Sequence, residues 1–82
     1  MPDIPRPLSP KALAFKLGIY KHFKGDLYRA FFVARSSEAR EEEFVVYQSL
    51  TKDYVWIRPL EMFMEDVDRD GYKGPRFSWV GE

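Results

Sequence analysis

Gly18-Ile19-Tyr20-Lys21-His22-Phe23-Lys24-Gly25-Asp26-Leu27-Tyr28 reads as a short strand, a tight turn at Gly25-Asp26 and the start of a second, longer strand. Aromatic and β-branched residues favour a pleated surface, and a glycine beside an aspartate supplies the turn. Strands need partners, and the segments 43–51, 54–58 and 75–80 provide them. Leu27 to Arg35 is apolar on both faces, with Leu27, Phe31 and Val33 on one side and Tyr28, Ala30, Phe32 and Ala34 on the other. That pattern predicts a strand buried twice. Phe44-Val45-Val46-Tyr47 is its expected neighbour, joined to it through a polar, solvated loop over 36–43.

Further along, Val55 and Ile57 alternate with Trp56 and Arg58, which places the two pairs on opposite faces of a strand. Pro59 ends that strand and opens one helical or 3-10 turn near 59–64. Asp70-Gly71 is a second turn signal, and Arg76 to Val80 alternates as a last strand. The expectation is a mainly β chain: a small antiparallel barrel of about five strands, with Phe31, Val33, Val46, Ile57 and Phe77 in its core.

Before the first strand lie Pro2, Pro5 and Pro7, which predict an extended arm over 1–8. Ser9 then has the chemistry of an N-cap, with Pro10 at the first helical position. Lys11 to Leu17 are mostly helix formers, Leu13 and Leu17 can share a face, and Gly18 is placed to end the helix. The chain therefore divides into an arm and short helix, 1–17, and a barrel, 18–82.

Length and composition bound what such a chain can do. Its 82 residues make one domain, and 45% apolar residues against 32% charged can form a core. Fourteen aromatics must crowd a small interior. With no cysteine, disulfides and thiolate metal sites are excluded, and a reducing cytoplasm is the expected compartment. The start lacks a basic segment followed by an apolar run, and the longest apolar runs, such as Ala30 to Ala34, are far too short for a bilayer. The net charge is zero, yet residues 1–35 hold seven basic and two acidic side chains and residues 36–82 hold six and eleven. Either the halves cancel within the fold, or a two-faced surface supports a homo-oligomer or attracts an anion.

Candidate chemistry is sparse. His22 is the single histidine; it can serve as acid, base or ligand, and more often such a residue packs locally. Asp66-Val67-Asp68-Arg69-Asp70-Gly71 imitates the opening of a Ca²⁺ loop, but the twelfth position is Phe77 and Pro75 intrudes, so a polar hairpin is expected. Ser36 and Ser37 sit in no nucleophile elbow, and no glycine-rich phosphate loop is present. No metal and no cofactor is expected. Tyr20, Lys21, Lys24, Tyr28, Arg29 and Arg35 interleave rings with bases, as single-strand binders do, against a neutral total charge. Arg58 shares a face with Trp56 and can hold an anion bidentately or pair with Glu61 or Glu38.

Gly18-x-Tyr20-x-His22-Phe23-Lys24-Gly25-x-x-Tyr28, Ala34-x-x-Ser37-Glu38, Val45-Val46-Tyr47, Trp56-x-Arg58-Pro59-Leu60-x-Met62-Phe63 and Pro75-Arg76-Phe77, in that order, resemble a family of small bacterial proteins catalogued as domain of unknown function 1653. The resemblance spans residues 18 to 77 and implies an SH3-like barrel; it implies no activity. The family usually has a histidine before the Ser-Glu pair, where this chain has Ser36, so a role needing two histidines is not implied here. The function expected is a cytoplasmic binding module for a peptide, a protein surface or single-stranded nucleic acid, with protein or peptide favoured and no membrane. Its binding residues are Tyr20, His22, Lys24, Tyr28, Glu38, Trp56 and Arg58. The alternatives are a small enzyme or accessory subunit using His22 with Glu38 or Arg58, and a self-associating structural protein.

Overall fold

The structure, a computed structural model, describes residues 8–39 and 42–82. The proline arm falls mostly outside them. Two short helices and seven strands follow in the order α1 (Pro10–Ala14), β1 (Gly18–His22), β2 (Leu27–Arg35), β3 (Glu43–Ser49), β4 (Val55–Pro59), α2 (Leu60–Phe63), β5 (Asp66–Arg69), β6 (Tyr72–Pro75) and β7 (Phe77–Gly81). Five of the strands form one antiparallel sheet in the order β4-β3-β2-β1-β7. β5 and β6 make a separate hairpin, turned at Asp70 and Gly71, whose φ angles of 54° and 79° suit a two-residue hairpin turn. No ladder joins β4 to β7 among the described residues. The five expected strands are present, but as an open sheet and not as a closed barrel.

The core is a stack of rings. Phe63 lies flat on Phe77, with centroids 4.0 Å apart and planes 1° from parallel. Tyr47 meets both edge-on, at 5.3 and 5.7 Å. Phe15 stacks on Tyr20 at 5.4 Å, and both present edges to Phe63. Offset and edge-to-face contacts satisfy the ring quadrupoles, which is why so many aromatics fit so small an interior. Ala12, Ala30, Val45 and Leu60 fill the space around them.

Several strand faces differ from the sequence expectation. Between Ala30 and Phe32 the β2–β3 register slips: Ala30 faces Tyr47 and Phe32 faces Val46, so two steps on β2 match one on β3. This bulge turns Ala30 and Val33 toward the core and sends Phe32 outward, 63% exposed. On β3 the inward residues are Val45 and Tyr47, so Val46 lies on the outer face. Ile57 pairs with Val46 and is 65% exposed. Of the five expected core residues, Phe77 is fully buried, Val33 packs against the core, Phe31 and Val46 are half-buried, and Ile57 is outside.

The N-terminal helix is shorter than expected and packs through other residues. Ser9 caps it, its hydroxyl accepting from the Ala12 N–H at 3.0 Å. Glu43, at the start of β3, accepts from the Ser9 N–H at 2.8 Å and from its hydroxyl at 2.6 Å. These bonds hold the Glu43 carboxyl below the usual range and fasten the helix to the sheet. Ala12 and Phe15 enter the core, whereas Leu13 and Leu17 remain exposed. Gly18 begins β1 and does not cap the helix, because the helix has already ended at Ala14.

Burial raises the Tyr20 phenol to about 12, and its hydroxyl donates to the Lys16 carbonyl at 2.6 Å. The unfolded chain loses that proton near 10. Stability from the neutral phenol is therefore complete below pH 10 and drains as pH rises toward 12. Urea unfolding of the parent chain should weaken over that window more than unfolding of Tyr20→Phe does. Equal losses would mean that Tyr20 ionises freely in the folded state.

Candidate binding groove

An open groove of about 310 Å³ lies on the inner face at the β4 side of the sheet. Tyr28 from β2, Tyr47 from β3 and Trp56 from β4 form its aromatic lining, with Tyr54 at the rim. Arg58 and Lys52 supply positive charge, Asp26 negative charge, and Ser49 a hydroxyl. The alternation of β4 brings Trp56 and Arg58 to this face together, as their spacing predicts.

Arg58 is held in place. Its Nε donates to the Tyr47 hydroxyl at 3.1 Å, and its guanidinium carbon lies 5.8 Å from the centre of the Phe77 ring. Neither Glu61 nor Glu38 pairs with it; among the described residues it has no carboxylate partner. A guanidinium fixed by a phenol and a ring face keeps its forked donors for something else.

His22 stands at the end of β1, opposite Phe77, with their rings 4.9 Å apart and the Tyr28 ring 6.4 Å away. Its Nδ1 accepts from the Lys24 N–H at 3.1 Å, which leaves the ring proton on Nε2. Burial lowers its pKa, and Arg58, Arg76 and Lys24 lower it further against the opposing pull of Asp26. The imidazole is neutral at pH 7 and offers a donor. Burial, then Asp26 and Tyr47, raise the Tyr28 phenol, so it too keeps its proton. The groove thus sets several hydrogen-bond donors, with the Asp26 carboxylate as an acceptor, on an aromatic wall.

Of the seven residues expected to bind, Tyr28, Trp56 and Arg58 line the groove and His22 adjoins it. Tyr20 is in the core, 8% exposed, stacked on Phe15. Lys24 is exposed on the β1–β2 turn, its Nζ 5.9 Å from the Phe23 ring centre. Glu38 lies in the loop after β2, where its N–H donates to Ser36 Oγ at 3.2 Å. Among the described residues no hydrogen bond or ion pair joins Glu38 to His22, so the expected pairing of the two is not made. Sequence reasoning missed Tyr47, Lys52 and Tyr54. In the sequence Tyr47 stands as a strand residue and in the Val45-Val46-Tyr47 block, with no sign of a binding role, and the other two sit around a turn that carries no chemical signal. A second groove of about 260 Å³, between Glu42, Glu43 and Glu61, brings together none of the expected residues.

The hexapeptide that imitates a Ca²⁺ loop runs instead as β5 and its turn. Its carboxylates are strung along an extended strand, and among the described residues no cluster of three or more metal-ligating groups occurs. Also among the described residues, no helix is long and apolar enough to cross a membrane.

A small mainly β protein with an open donor-rich aromatic groove is the class that this geometry defines. The chain belongs to the family described as protein of unknown function DUF1653, whose model matches residues 18–79. It is similar to a protein of that family from Bordetella bronchiseptica, known from a crystal structure, with 37% sequence identity and a TM-score of 0.76; the match covers 85% of this chain and 92% of that one. No curated protein matches the chain.

Proposed function

We propose that the chain is a binding module of the bacterial cytoplasm whose groove takes an extended protein segment. The segment presents a carboxylate to Arg58 and an aromatic or apolar side chain to Trp56 and Tyr54. The observation that carries this reading is Arg58 itself, positioned by Tyr47 and Phe77 and without a carboxylate partner among the described residues. A single-stranded nucleic acid fits less well. It needs a track of several cations, and the groove has Lys52 and Arg58 with Asp26 opposing them. Trp56, half exposed, supplies contact area at small entropic cost.

Selection of random peptides displayed on phage against the immobilised chain tests the proposal. Selected peptides are expected to carry Asp or Glu close to an aromatic residue. Arg58→Gln should weaken the selected peptide by at least about tenfold, and Lys24→Ala by less, with unfolding midpoints nearly unaltered. Peptides without acidic residues would overturn the assignment. So would an Arg58→Gln variant that unfolds several degrees lower and still binds.

A further inference from the structure

The outer face of β2, β3 and β4 carries two wholly apolar rows. The register sets Ala34, Phe44 and Pro59 in one row and Phe32, Val46 and Ile57 in the next, with Arg29, Gln48 and Val55 in a third row beyond them. Phe32, Val55 and Ile57 are 63%, 57% and 65% exposed. Arg29 and Gln48 are the polar positions at the edge of this field, and the Gln48 amide donates to the Asp53 carbonyl at 3.1 Å. An antiparallel strand with one solvated face ordinarily places polar residues there; these two rows do not.

We propose that this face is where two copies of the chain pack, sheet against sheet, about a twofold axis. The charge pattern favours a second copy over a charged partner. No Lys, Arg, Asp or Glu stands in the two apolar rows, and Arg29 stands at their edge, so two copies can meet through these rows with the arginines at the rim, and the net charge of zero removes repulsion at longer range.

The area agrees. At roughly 60–120 Å² for an aliphatic side chain and about 200 Å² for a phenyl, Phe32, Val55 and Ile57 leave on the order of 250 Å² bare, and the other apolar positions bring the face to roughly 400 Å². The smaller stable interfaces bury about 600 Å² per partner, of which roughly 65% is apolar in homodimers, or about 400 Å². The face therefore suffices for a dimer at the weaker end of the stable range. Stacked sheets also leave both grooves open, because the grooves lie on the opposite side of each sheet.

Sedimentation of the chain from low micromolar to millimolar concentration tests the proposal. The mass should rise from monomer to dimer. Ile57→Glu should raise the dimer dissociation constant at least about tenfold without lowering the unfolding midpoint of the monomer. Ile57→Thr keeps the β-branched shape and serves if the glutamate variant does not fold; it should weaken the dimer in the same direction. A monomer at every concentration overturns the proposal and leaves the face to residues 1–7 or to a different protein. A dimer that persists in both variants overturns it too, since another surface must then hold the copies together.

Discussion

Phe63→Ala is expected to leave the chain largely unfolded at or slightly above room temperature. Phe63 is 1% exposed, lies flat against Phe77 and receives the edges of Phe15, Tyr20 and Tyr47. Removing its ring forfeits the transfer free energy and opens a cavity that four rigid neighbours cannot close. Such truncations cost about 3–5 kcal/mol. A chain of this length has roughly 4–12 kcal/mol in total. Phe32→Ala is the contrast. Phe32 carries as large a ring, yet it faces outward, and its loss should move monomer stability by no more than about 0.5 kcal/mol. Thermal unfolding followed by near-ultraviolet circular dichroism reads both. If the two variants unfold together, the assignment of the faces on β2 and α2 is incorrect.

Gly18→Ala is the second substitution with a large expected cost, although it adds a single methyl. Gly18 has φ of +130°, in the region where a side chain is strained. A Cβ there would strike the Gly81 carbonyl oxygen and come within 3.2 Å of both Glu82 Cα and Trp79 Nε1. The first two obstacles are backbone and cannot rotate away. The indole is itself committed, donating to the Leu17 carbonyl at 3.2 Å beneath the Lys16 ammonium, which sits 4.3 Å from its ring. The β1–β7 ladder has to part, and the loss should be about 3 kcal/mol or more. Gly25→Ala provides the comparison: its φ is also positive, but a Cβ there meets nothing within 4 Å. It should cost about 1 kcal/mol. Equal midpoints for the two variants would show that the crowding at Gly18 is relieved elsewhere.

Much of this architecture was legible because local chemistry and tertiary structure agree. The first hairpin turns over Phe23 to Gly25, just before the expected Gly25-Asp26, with the Gly25 N–H donating to the His22 carbonyl; Ser9 and Pro10 start the helix, and Pro59 ends β4 and opens α2. Period-two alternation also put Trp56 and Arg58 on one face, and that face is the groove. What stayed hidden depends on contacts remote in sequence. The bulge at Ala30–Phe32 inverts the faces of β2 from that point, and nothing between Leu27 and Arg35 marks it, since both faces are apolar. Val45-Val46 offers two equal candidates for the core, and only the register with β2 and β4 selects Val45. Glu43 reads as one of three solvated glutamates, and its bond to Ser9 spans 34 residues. Tyr47 was visible as a strand former. That its hydroxyl positions Arg58 follows from the pairing of β3 with β4.

The sheet order also constrains when the protein can fold. β2, β3 and β4 join nearest neighbours along the chain, and such hairpins close in microseconds. β1 needs β7 on its far side, and the bond from Trp79 to Leu17 bridges 62 residues. Closing so long a loop carries its entropy cost before the contacts are made, which makes this docking the natural slow step. On the ribosome, β1 waits with one edge bare until the segment around Phe77–Gly81 has emerged, and Phe63 waits with it for the ring of Phe77. The interval between synthesis of the meander and arrival of the last strand is therefore when a nascent chain is most exposed to pairing with a neighbour.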